Sequence, residues 1–191
     1  MTFFVTSTGD DGGNFGGLEG ADAFCDTLAT AAGAGDRTWR ALLSTDDVDA
    51  RTRIGDGPWH NADGALVAAS LTALFTDGIP VDAANSAAPE ADTKRALLLD
   101  ETGAPVSSDP LQHDVLTGSD PAGNRIAGQN CDGWTSNAAD VTAQLGHSDS
   151  RGPQGDDTAF GWISSHASQG CSADSLVATG GNGRLYCFAA D

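Results

Sequence analysis

GGLEGADAFCDTLATAAGAGDRTWRALLST, residues 16–45, is the stretch whose reading decides the fold. Glycines at 12, 13, 16 and 17 let the chain turn sharply before a segment with one continuous apolar face. Ala21, Phe24, Cys25, Leu28 and Ala32 recur at helical spacing, Asp22 lies in the first turn, and Gly33 stands where a left-handed residue closes a helix. The spacing therefore predicts a helix whose buried side carries a cysteine. Thr38 to Leu43 then alternates as a strand does.

Working outward, Thr2 to Thr8 reads as an opening strand with Phe3, Phe4 and Val5 available to a core. Ser70 is an N-cap candidate for a second, shorter helix through Leu71, Leu74 and Phe75, ended by Gly78. Ala83 to Thr93 is small, polar and Pro-containing, an exposed loop. Ala96 to Asp100 and Ala104 to Ser107 form a hairpin around Gly103. From Val115 onward, short strands alternate with long polar loops. These elements make an α+β fold, read as a single domain over residues 1–191, with function expected on the loops.

The 191 residues carry a formal charge of −18, with Lys94 and eight scattered arginines as the only strong cations. Nucleic acid and anionic membrane surfaces need clustered basic side chains, so both are excluded as partners. No stretch is long and apolar enough for a membrane-spanning helix. Four cysteines, at 25, 131, 171 and 187, lack the C-x-x-C spacing of zinc ribbons and redox motifs. Two disulfides are expected, in any of three connectivities, each closing a loop worth about 4 to 5 kcal/mol of chain entropy. Such staples imply an oxidising compartment, hence an extracellular or cell-surface location. The opening MTFFVTSTG has neither a basic n-region nor an apolar h-region, so the sequence is read as a mature or excised domain.

The run at 16–45 resembles the GG-x-x-GAD-x-x-C segment and following strand of the endostatin-like family. LTALFTDG, VLTGSDPAGN, CDGWTS and RLYCF continue the likeness in the same order along nearly the whole chain. The resemblance implies a C-type-lectin-like fold, two helices flanking a mixed, mostly antiparallel sheet. It also implies nested bridges, Cys25 to Cys187 and Cys131 to Cys171. Heparin binding is not carried over, because Glu19 replaces the arginine expected before the GAD motif. The family's N-terminal zinc-binding histidines have no counterpart before Phe3, and Asp63, near the remaining ligand position, is insufficient alone.

Because C-type-lectin-like domains often bind calcium and sugars, oxygen-rich loops are the metal candidates. These are Asp10, Asp11 and Asn14; Asp120 and Asn124; and Asp156 and Asp157. No cofactor is required by this reading, a structural calcium being the one ion considered. The Glu-Pro-Asn and Gln-Pro-Asp triplets of sugar-binding calcium sites are missing. Trp59, His60, Asn61 and Asp63 make a candidate sugar-stacking platform, against which stands the packing of Trp59 in the core. Trp134 and Trp162 are expected to anchor loops.

His113 beside Asp114 and the run GHSDS at 146–150 are read as solvent-facing loop residues. No G-x-S-x-G, H-E-x-x-H or P-loop pattern occurs, so no catalytic residues are assigned. The expectation is a non-catalytic extracellular or cell-surface module that recognises a glycan or an extracellular protein through acidic loops. The rival readings are a structural module of a larger envelope protein and a secreted hydrolase on this scaffold.

Overall fold

A computed structural model of the chain describes residues 1–77, 97–106, 109–149 and 161–191. The proposed loop at 83–93 and the carboxylates Asp156 and Asp157 lie outside the described residues.

The C-terminal run Gly181–Ala189, β8, is the spine of the fold. β1 (Phe3–Val5) and β2 (Trp39–Ala41) pair antiparallel with its second half, and β5 (Asp114–Leu116) pairs parallel with its first half. β6 (Gln144–His147) and the two-residue β7 (His166–Ala167) continue the sheet antiparallel beyond β5. A separate ribbon joins β3 (Trp59–His60) to β4 (Leu66–Ala68).

The sheet is apolar on both faces because strand side chains alternate. Tyr186 and Phe188 enter one core with Phe3, Val5, Leu42 and Val115. Leu185 and Cys187 enter the other with Phe4, Ala41, Leu43 and Leu116. That second face carries α1 (Gly17–Ala31), which buries Ala21, Cys25 and Ala29. Ala32 is exposed, so the buried stripe runs through Ala29 instead. Gly33 adopts φ 80°, as a helix-ending glycine should. The helix begins at Gly17, so Glu19 rather than Asp22 lies in its first turn. Asp22 is buried, accepting from Ala41 N at 2.9 Å and from both sides of its carboxylate by Arg53 at 2.8 Å. It fastens helix to strand rather than compensating the dipole.

The opposite core is covered by loops, the β3–β4 ribbon and a π-type helical turn at Ala73–Asp77. It completes the second, shorter helix expected from Ser70: residues 71–77 are helical, the Ser70 hydroxyl accepts from Ala73 N at 3.1 Å and the Ser70 carbonyl from Leu74 N at 2.9 Å, and the expected terminator Gly78 lies outside the described residues. A further helix among the described residues, α2 (Ala173–Thr179), packs against β8, with the Ser172 hydroxyl accepting from Ser175 N and Gly180 closing it. Its signal, a serine cap before Ala-Asp-Ser-Leu-Val and a following glycine, was present in the sequence. The hairpin closes at its turn as expected, with Leu99 bridging Pro105 and Asp100 Oδ1 accepting from Thr102 N and Ala104 N, but Leu97 and Leu98 are helical where its first strand was expected.

The bridges are Cys25–Cys187 and Cys131–Cys171, the pairs that the resemblance implies. The first ties α1 to β8 and the second closes residues 131–171. Among the described residues, no helix is long and apolar enough to cross a membrane.

Candidate functional sites

Two constellations stand at opposite ends of β6. At its start, Asn130 bridges Ala143 and leads into the turn Cys131–Trp134. Cys131, Asp132, Gly133 and Trp134 all have positive φ, 50°, 52°, 67° and 67°. For each non-glycine residue that geometry costs roughly 1 to 2 kcal/mol, so it persists only where surroundings over-determine it. Here they do. The disulfide holds Cys131, Asn130 Oδ1 accepts from Gly133 N at 2.8 Å, and Trp134 Nε1 donates to Ser44 O at 2.7 Å. Trp134 and Trp162 are fully buried, as expected of loop anchors.

This turn is laced to the Gly-rich loop before α1. Phe15 N donates to Trp134 O at 3.0 Å and Gly13 N to Cys171 O at 2.8 Å. The Asn137 amide closes the seam, accepting from Asn14 N at 2.7 Å and donating to Asp11 O at 2.6 Å. Asp10, Asp11, Asn14, Asp132 and Asn137 are exposed on the resulting platform. Asp10 Oδ1 accepts from Asp11 N, and Asn14 Oδ1 from Gly16 N, the pattern of turn formers. Asp120 Oδ1 accepts from Ala122 N and Asn124 N in the same way.

Trp59 is fully buried, with Nε1 donating to Ala189 O at 3.0 Å and its ring edge-on to Phe188. Its face is not offered to a sugar, because it packs in the core with Phe3, Tyr186 and Phe188. Asn61 is also buried, its Oδ1 accepting from Asp63 N and Ala65 N. His60 is half-buried, joined to Thr2 through its backbone.

The other end of β6 corrects the reading of the histidines as solvent-facing. Register places Asp114 opposite His147 and Leu145 opposite His166, so three adjacent strands deliver their polar ends to one place. His147 is 2% exposed and Asp114 equally buried. Asp114 Oδ1 lies 3.2 Å from His113 Nε2, 3.2 Å from His147 Nε2 and 3.8 Å from His166 Nε2. The His147 and His166 Nε2 atoms are 2.8 Å apart, and the His113 ring stacks on His147 at 4.1 Å. Neither Asp114 oxygen has a hydrogen-bond partner. Gly181 makes room for this side chain, since a Cβ there would meet Asp114 Cβ at 2.9 Å.

The outer nitrogens define the tautomers. His113 Nδ1 faces Asp149 Oδ2 at 3.0 Å and His166 Nδ1 faces Ala167 O at 3.1 Å. A carboxylate and a carbonyl accept, so both Nδ1 atoms are placed to donate outward, and in the neutral tautomer that does so each ring turns an Nε2 lone pair toward Asp114. His147 Nδ1 lies 3.4 Å from Ser165 Oγ. Beneath the cluster, burial pushes the Tyr186 hydroxyl well above its ordinary pKa, and the Asp149 and Asp114 carboxylates push the same way. Tyr186 therefore stays a neutral phenol. Among the described residues, His113, Asp114 and His147 form the group of side chains able to hold a metal ion. Neighbouring His–Asp pairs were visible in the sequence; the strand register that joins them was not.

No family model matches the chain, and no curated protein matches it.

Proposed function

We propose that the chain is a non-catalytic binding module of an extracellular or cell-surface protein, built on a C-type-lectin-like frame. It recognises an extracellular protein or a glycan through the platform joining loops 9–16 and 130–140. The observation that carries this reading is the left-handed turn at Cys131–Trp134, where bridge, Trp anchor and cross-loop hydrogen bonds hold a strained backbone beneath exposed polar groups. Loops held in place before contact lower the ordering cost of binding. The acidic surface favours a basic protein patch or a neutral glycan over a sulfated one.

Glycan-array binding and pull-down against extracellular proteins test it, with Asn137→Ala as the control that unhooks the platform. Specific capture that Asn137→Ala abolishes is expected. Blank results on both would favour a structural module of a larger envelope protein.

A second reading has one observation in its favour: Ser165 Oγ, His147 and Asp114 lie in series, as a nucleophile, base and orienting acid would. Against it, His113 and His166 crowd the same carboxylate oxygen. Covalent labelling of Ser165 by a fluorophosphonate would establish that hydrolase reading.

A further inference from the structure

We propose that His113, Asp114, His147 and His166 bind one divalent transition-metal ion of the zinc class, with Asp149 as the residue that orients His113. This goes beyond the recognition reading and stands or falls independently of it, since the platform lies at the other end of β6.

The argument begins with Asp114. A buried carboxylate without hydrogen bonds is costly unless a cation neutralises it. The outward contacts of His113 Nδ1 with Asp149 and of His166 Nδ1 with Ala167 select the tautomer whose Nε2 lone pair faces Asp114, the form in which a histidine ligates a metal. A proton shared between His147 and His166 would satisfy that pair at 2.8 Å and leave Asp114 unmatched. A cation at the centre satisfies all four groups.

Distances agree. A tetrahedral zinc ion with bonds of about 2.0 to 2.1 Å holds its ligand atoms about 3.3 to 3.4 Å from one another. Asp114 Oδ1 lies 3.2 Å from both His113 Nε2 and His147 Nε2, close to that value, and the ligand atoms of these three residues all lie within 4.8 Å of one another. His166 Nε2, 2.8 Å from His147 Nε2 and 3.8 Å from Asp114 Oδ1, stands outside that group and would move inward to complete the shell. Three imidazoles and one carboxylate suit zinc, cobalt, nickel or copper, whereas calcium takes oxygen ligands. Four protein ligands close the coordination shell, which marks a structural site that fastens β5, β6 and β7. The His113–Asp149 contact is the outer carboxylate that metal-bound histidines use to hold their orientation.

The experiment is calorimetric titration of zinc into the chelator-stripped, disulfide-intact chain, with cobalt substitution as a spectroscopic readout. One ion per chain, the visible bands of tetrahedral cobalt, and no heat from calcium are expected. His147→Ala and His166→Ala should weaken zinc by more than about 100-fold, and Asp149→Asn by about 10- to 100-fold. His166 is on the edge strand, so its variant tests the site where the buried His147 variant fails to fold; unchanged far-UV dichroism and bridge mapping check this. Absence of zinc binding by the folded chain, or undiminished binding by the folded His166 variant, would overturn the site. So would octahedral cobalt spectra.

Discussion

The two ends of β6 solve one problem by different chemistry. At the Cys131 end a covalent bond, a buried Trp and a string of backbone hydrogen bonds hold a strained turn. At the His147 end nothing covalent crosses the strands, and three imidazoles surround a carboxylate that lacks a hydrogen-bonding partner. The first end is complete within the polypeptide, while the second gains its missing charge only from an added ion. Preorganisation at one end therefore depends on redox state, and at the other on metal supply.

The largest effect should come from breaking the covalent end. Replacing Cys131 and Cys171 together by alanine should lower stability by about 2 to 5 kcal/mol in denaturant titration. Platform binding should vanish, while zinc affinity of the remaining folded protein changes by less than tenfold. Loss of zinc affinity along with platform binding would show that the two ends are coupled.

Next in size is the ion itself. Zinc at 100 times its dissociation constant should raise stability by about 2.7 kcal/mol, readable as a higher melting temperature that chelator reverses. The shift should disappear in His166→Ala and persist in Asn137→Ala. Gly181→Ala probes the same end from beneath: its new Cβ must displace Asp114, so a stability loss of about 1 to 3 kcal/mol and weaker zinc binding are expected. An unchanged zinc isotherm there would argue that Asp114 is no ligand.

Smaller effects are pH-dependent. Tyr186 has a folded pKa raised above its unfolded value near 10, so the folded form holds its proton more tightly. Its contribution is full below that pH and is lost as pH rises beyond it; Tyr186→Phe should flatten the alkaline limb of the stability curve. At the Cys131 end, Gly128 N and the Asn130 amide hold the Asp46 carboxyl below the usual carboxylate range. Its contribution is present above about pH 4 and fades as pH falls through the lowered value. Asp46→Asn should remove a small part of the acid limb, detectable by comparing melts across that range.

What could be read in advance was local or periodic. The α1 stripe, its Gly33 terminus and the alternation of Leu185, Tyr186, Cys187 and Phe188 all arise within a few residues, where helix and strand geometry act directly. The Ser172 cap of α2 is equally local. The helix that starts at Ser70 was legible for the same reason, since its serine cap and its apolar residues Leu71, Leu74 and Phe75 are local; that Ala73–Asp77 wind as a π-type turn was not. Trp59 carried both readings until burial chose the core.

Composition and order alone determined the acidic surface, the apolar periods and the supply of four cysteines. Tertiary structure decided which chain ends meet. His113, Asp114, His147 and His166 come together only because β5, β6 and β7 pair in one register, and a slip of one residue would turn His147 to the other face. The left-handed turn likewise exists because distant groups, Ser44, Cys171 and the Gly-rich loop, outweigh the local preference of Cys131, Asp132 and Trp134.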